Sequence, residues 1–132
     1  MILLILSFLM FWQQPNVTSV KVTGIKVASG QLRVAFYDSK KNFLHDSKLT
    51  CSAVIEITKA GEMIIPVTCP AGLYGMAVYH DVNSNGKLDM TFLGTPKEPY
   101  GFSRNAMGTF GPPSFSEAKV DTSLDTSIVI DL

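Results

Sequence analysis

The sequence predicts an all-β fold: a single antiparallel β-sandwich of about seven short strands, with one long loop rich in glycine and proline. Three observations carry this reading. Apolar and polar residues alternate with period two almost everywhere after residue 16. Turn-forming residues separate the alternating runs at short intervals. Only Lys40–Leu49 and Ser114–Lys119 could hold a helical turn. A chain of 132 residues suits one domain and leaves little room for a second.

The first segment stands apart. Met1 to Trp12 is apolar except for Ser7, and Gln13-Gln14-Pro15 ends the run. It is shorter than the roughly 20 residues a membrane-spanning helix needs, and it has the length of the apolar part of an export signal. No Lys or Arg precedes it and no A-x-A cleavage site follows it, so the apolar run alone supports the assignment. We assign 1–15 as a signal peptide or N-terminal anchor and 16–132 as the sandwich. The expected location is periplasmic, extracellular or in the cell envelope. Membrane contact is expected only through an uncleaved N-terminal segment.

The strands follow in order. Val20 and Val22 alternate with Lys21 and Thr23, and Leu32, Val34 and Phe36 alternate with Arg33 and Tyr37. Gly24 to Gly30 holds a turn between them. The stretch SAVIEIT-KAG-EMIIPVT reads as a hairpin around Lys59-Ala60-Gly61. Pairing Thr58 with Glu62 sets Cys51 opposite Cys69, within disulfide reach. Ala53, Ile55, Ile57, Met63, Ile65 and Val67 share their face, so the bridge is expected to be buried. Two buried free thiols are the alternative. A disulfide fits an oxidising compartment. Pro66 must then sit at a free edge or a bulge. Leu73 to His80 forms the next strand, and Ile128, Ile130 and Leu132 mark the last.

Gly94 to Phe115 breaks the pattern. Its glycines and prolines oppose regular structure, while Tyr100, Phe102, Phe110 and Phe115 can anchor a loop onto the body. Ordered loops of this length either carry function or cover an open end of a sandwich. Charge excludes some partners. Eleven basic and 11 acidic side chains give a net charge of zero, which argues against binding nucleic acid through a basic surface.

The sharpest motif starts at Asp81 and reads D-x-N-x-N-G-x-x-D, the first nine positions of an EF-hand-type calcium loop. Asp81, Asn83 and Asn85 supply side-chain oxygens, Gly86 the sharp turn, Lys87 a main-chain carbonyl, and Asp89 a direct or water-mediated ligand. Hard oxygen donors at alternate positions suit calcium. Position 12 is Phe92 where a bidentate carboxylate is expected, and the loop follows a strand. Expected affinity is therefore weak, about 0.1–1 mM. Glu98 is the nearest acidic residue that could complete the sphere. A metal-free turn capped by its own Asp and Asn side chains is the alternative.

His80 shares a face with Tyr74, Met76 and Val78, which favours a structural role. Ser103 with His80 and Asp81 makes a conceivable triad, but Ser103 lacks a nucleophile-elbow context. His80 and Glu98 are the pair an acid–base hydrolase would use. No glycine-rich phosphate loop precedes a helix. Asn16-Val17-Thr18 is a formal glycosylation sequon.

The run HDVNSNGKLDMTFLGTPKEPYGFSRNAMGTFGPPSF closely resembles the signature of a bacterial secreted family, domain of unknown function 2141. The likeness extends through VTGIKVASGQLRVAFYDSKKNFL and GLYGMAVYHD and covers about residues 18 to 132. The family's pattern is met at His80, Asp81, Asn83, Asn85, Gly86, Asp89, Pro96, Glu98, Gly101, Phe102, Ser103 and Asn105. It continues at Gly108 and Gly111 to Pro113, while Arg104 departs from it. The resemblance implies a small exported bacterial protein and brings no established activity. The G-x-Y-x-x-x-V-x-x-D-x-N-x-N-G arrangement is also similar to transthyretin-like and collagen-adhesin B-type modules, which implies a transthyretin-like or immunoglobulin-like sandwich. The expected function is a non-catalytic binding or structural module with a calcium-type loop. The alternative is recognition of a small molecule, a glycan or a cell-envelope protein by His80, Glu98, Tyr100, Ser103, Arg104 and Asn105.

Overall fold

Period-two alternation places Val20, Val22, Leu32, Val34, Phe36, Met76, Val78, Ile128 and Ile130 in one shared interior. The computed structural model describes residues 15–132; the apolar Met1–Trp12 run, and with it the leader assignment, lies outside the described residues. Among the described residues, eight strands form two sheets. They are β1 (Asn16–Ile25), β2 (Gln31–Tyr37), β3 (Cys51–Glu56), β4 (Gly61–Cys69), β5 (Leu73–Asp81), β6 (Tyr100–Phe102), β7 (Val120–Asp121) and β8 (Ser127–Asp131). One sheet has the order β4-β1-β8 and the other β3-β2-β5-β6, with β7 pairing the start of β5. The expected β-sandwich is therefore present. Its strand pairs are antiparallel except for β1 and β8, which run parallel, a departure from the fully antiparallel expectation.

The Lys59–Gly61 hairpin is corrected. β3 pairs with β2 and β4 pairs with β1, so the connection crosses from one sheet to the other. Alternation describes a two-faced strand but does not say which neighbour it bonds. The disulfide forms nonetheless, joining Cys51 and Cys69 with a Cα–Cα distance of 5.9 Å. Residues equally far from a turn still meet when the two arms face one another across a core. Pro66 sits on the edge strand β4, paired with Ser19. Ser19 donates its N–H to Thr126 on the β8 side at 2.8 Å. The Ser19–Pro66 pair is thus a non-bonded one, and the proline nitrogen faces the free edge.

Two local expectations of helix are met by short turns. A 3-10 turn spans Asp46–Lys48, and α1 spans Phe115–Ala118. Ser114 caps α1, accepting from Glu117 N at 3.2 Å and donating to the Glu117 carboxylate at 2.9 Å. This is one half of a capping box: the Glu117 carboxylate takes the Ser114 hydroxyl proton and not the Ser114 main-chain N–H. Regular structure also appears inside the Gly/Pro-rich segment, where β6 forms an edge strand on β5. Gly101 permits it, because a Cβ there would lie 2.5 Å from the Asp131 carbonyl and 2.8 Å from Ile130 Cγ2. Asn105 Oδ1 then accepts Asp131 N at 2.9 Å and covers part of the β8 edge. A second apolar cluster joins Tyr37, Phe43, Phe102 and Phe115, with ring centroids 5.7 to 6.5 Å apart.

Candidate functional site

β5 delivers Asp81 to the end of the five-stranded sheet, where the chain leaves regular structure. Asp81 is fully buried. Its Oδ1 accepts Asn85 N at 3.2 Å, and its Oδ2 accepts Gly86 N at 2.8 Å and Arg33 Nε at 2.9 Å. Gly86 has φ +79°, the backbone angle its place in the motif demands. Asn83 Oδ1 accepts Asn85 N at 3.3 Å, and Asn85 Oδ1 accepts Lys87 N at 3.0 Å. The amide nitrogens of Asn83 and Asn85 each donate to Asp89 at 2.7 Å. Positions 3, 5 and 9 thus converge, while position 1 holds the loop's main chain. The bond from the Asn85 amide, and next that from Asn83, keeps the exposed Asp89 carboxyl below the usual carboxylate range.

Glu98 closes the loop from outside the motif. Its Oε2 accepts Val82 N at 2.7 Å and its Oε1 accepts Asp89 N at 3.0 Å. One buried carboxylate therefore ties the loop's beginning to its end. Arg33, on the neighbouring strand β2, balances Asp81 and is itself steadied by Gln31 Oε1 at 2.8 Å. The sequence reading missed Arg33. The available signal was a cation in the outward phase of an apolar strand beside the strand that ends in Asp81.

The donor types suit a hard cation: two carboxylates, two amide oxygens and the Lys87 carbonyl. Phe92, at the twelfth position, offers no ligand and is fully exposed. Among the described residues no three His, Cys, Asp or Glu side chains cluster as a metal site, so the loop relies on its asparagines.

The structure disperses the other candidates. His80 and Asp81 are consecutive on β5 and point to opposite faces of the sheet. His80 lies fully buried in the interior, its Nε2 donating to the Ser29 carbonyl at 2.6 Å. Ser103 is also buried; its hydroxyl donates to the Ala118 carbonyl at 2.5 Å and accepts Met76 N at 2.9 Å. It sits beside Met76, four residues from His80 along β5, about 13 Å at strand rise. Ser103, His80 and Asp81 therefore form no triad. Tyr100 packs on Phe102 at 5.7 Å and lines a shallow open groove with Lys26, Lys97, Glu98 and Met107. Arg104 and Asn105 are exposed in left-handed conformations. In the sequon, Asn16 Nδ2 donates to the Thr122 carbonyl at 3.0 Å and Thr18 is buried.

Residues 20–129, which contain this whole constellation, match the family described as "Uncharacterized protein conserved in bacteria (DUF2141)". The chain belongs to that family. The match spans the interval from β1 into β8, so the DUF2141 unit and the two-sheet sandwich coincide. No curated protein and no solved structure matches the chain. The DUF2141 assignment brings no activity, and function must be argued from the site.

Proposed function

We propose that this DUF2141 protein is an exported, non-catalytic structural or binding module, and that calcium is a weak ligand of its Asp81–Asp89 loop. The observation that carries the non-catalytic reading is how the would-be catalytic groups are spent. The Glu98, Ser103 and His80 side chains all bond main-chain atoms inside the fold. A general acid or base needs a proton-carrying atom within reach of substrate; the Glu98, Ser103 and His80 Nε2 atoms are spent on the main chain, and His80 Nδ1, which has no partner, is enclosed in the interior. The Cys51–Cys69 disulfide supports an oxidising location.

Calcium is supported by the meeting of Asn83, Asn85 and Asp89. Asp81, Asn83, Asn85, Asp89 and the Lys87 carbonyl are the residues that would hold it. A bound cation would offset the two carboxylates and fix the loop. Binding must give up the two amide bonds to Asp89 and share Asp81 with Arg33. Affinity is therefore weak, about 0.1–1 mM. The test is thermal denaturation with and without calcium, on the wild type and Asp89→Ala. Calcium raises the melting temperature of the wild type and leaves the variant's unchanged. Equal responses would mean that the loop holds no calcium.

A further inference from the structure

Beyond Asp89 the chain forms a second ordered element that the calcium motif does not use. Met90 bridges Pro96, Lys97 N donates to the Asp89 carbonyl at 2.7 Å, and Thr91 N donates to the Thr95 carbonyl at 2.6 Å. The two threonine hydroxyls lie 2.6 Å apart. Gly94, with φ +82°, completes the turn by donating to the Thr91 carbonyl at 2.9 Å. The result is a small hairpin whose base is clamped by Glu98 through Asp89 N. Its tip carries Phe92 at 101% and Leu93 at 84% exposure, with Met90 half-exposed behind them.

A turn of this geometry needs its glycine but not two large apolar side chains. Polar residues at 92 and 93 would satisfy the same bonds, so the turn itself does not account for two adjacent large apolar side chains in water. The tip is convex and small. An aromatic side chain buries roughly 150–250 Å², so the pair falls well short of the roughly 800 Å² per partner of a stable protein interface. A bilayer accepts a wedge of this size, especially beside cationic side chains that meet anionic headgroups. Lys97 ends the tip's second arm and Lys87 lies two residues before its first; both are exposed, and neither forms an ion pair among the described residues. Asp89, the acidic residue between them, is already held by two asparagine amides.

We propose that the Phe92–Leu93 tip inserts into the interface of an anionic lipid bilayer, with Lys87 and Lys97 as its headgroup contacts. This goes beyond the proposed function and needs no ion in the loop. The test uses the full chain carrying Trp12→Phe, with Phe92→Trp as reporter or Leu124→Trp as control. Leu124 is comparably exposed in the turn between β7 and β8. Both proteins are mixed with phosphatidylcholine–phosphatidylglycerol vesicles containing brominated lipid. The reporter at 92 shifts to the blue and loses most of its emission, and the one at 124 does neither. Adding Lys87→Glu and Lys97→Glu abolishes the shift. Equal quenching at both positions, or none at 92, overturns the proposal. A blue shift at 92 that grows with protein concentration in the absence of vesicles also overturns it, and assigns the tip to a second copy of the chain. Phe92→Ser/Leu93→Ser is expected to keep its melting temperature and lose co-sedimentation with these vesicles; retained co-sedimentation overturns the proposal.

Discussion

Arg33 Nε lies 2.9 Å from Asp81 Oδ2, and this pair forms the floor of the Asp81–Asp89 loop. Asp81 is fully buried while Arg33 keeps partial contact with water. Removing the cation strands a buried carboxylate, which costs about 3 kcal/mol at the low end for such pairs. The main-chain donors Asn85 N and Gly86 N soften the loss. Arg33→Met is expected to unfold at lower urea concentration with an unchanged slope.

Glu98 gives a more local effect. Glu98→Ala leaves Val82 N and Asp89 N without their acceptor, a loss of roughly 2–3 kcal/mol. Glu98→Gln restores only one bond, because an amide nitrogen cannot accept from the second N–H. Amide exchange at residues 82 and 89 is expected to accelerate in both variants, more in Ala than in Gln. Exchange in β1 and β4 should change little.

The disulfide joins the two sheets at β3 and β4, strands that share no ladder. Its 18-residue separation corresponds to about 3 kcal/mol of chain-entropy stabilisation. Replacing both cysteines by alanine is expected to lower the melting temperature while the far-ultraviolet spectrum of the folded state stays the same.

Asp89 sets an acid-side expectation. Its folded pKa lies below its unfolded value, so its contribution is complete above the ordinary carboxylate range. That contribution fades as pH falls through the depressed folded value. Asp89→Asn should flatten this part of the stability profile. On the alkaline side, burial raises the pKa of Tyr37, Tyr74 and Tyr79. Their folded-state contribution is complete below the ordinary tyrosine range and fades as pH rises through the raised values. The phenolate absorbance of these three tyrosines should therefore appear late and coincide with unfolding.

The alternating runs made the strands legible, and the break in alternation at Ser114–Lys119 left room for the helical turn found there. Pairing was not legible. The residues of β3 and β4 satisfy a hairpin as well as a crossing between sheets, and the Cys51–Cys69 contact survives either way. β6 was hidden because three residues in a Gly/Pro-rich segment carry no periodic signal; its place depends on Gly101 fitting against β8. At the site, the motif located Asp81, Gly86 and Asp89. Glu98 was considered as a spare metal ligand, yet its carboxylate binds main-chain N–H groups at both ends of the loop. Arg33 was invisible because its partner lies 48 residues away.

The Asp81–Asp89 loop is held closed by Asp81, Arg33 and Glu98 before any ion arrives. Hydrogen exchange on the chelator-treated protein tests it most directly. The amides of Val82, Gly86 and Asp89 are expected to exchange slowly without calcium, because Glu98 and Asp81 accept them. Exchange of these three amides at unstructured-chain rates, with protection only after calcium is added, would contradict it.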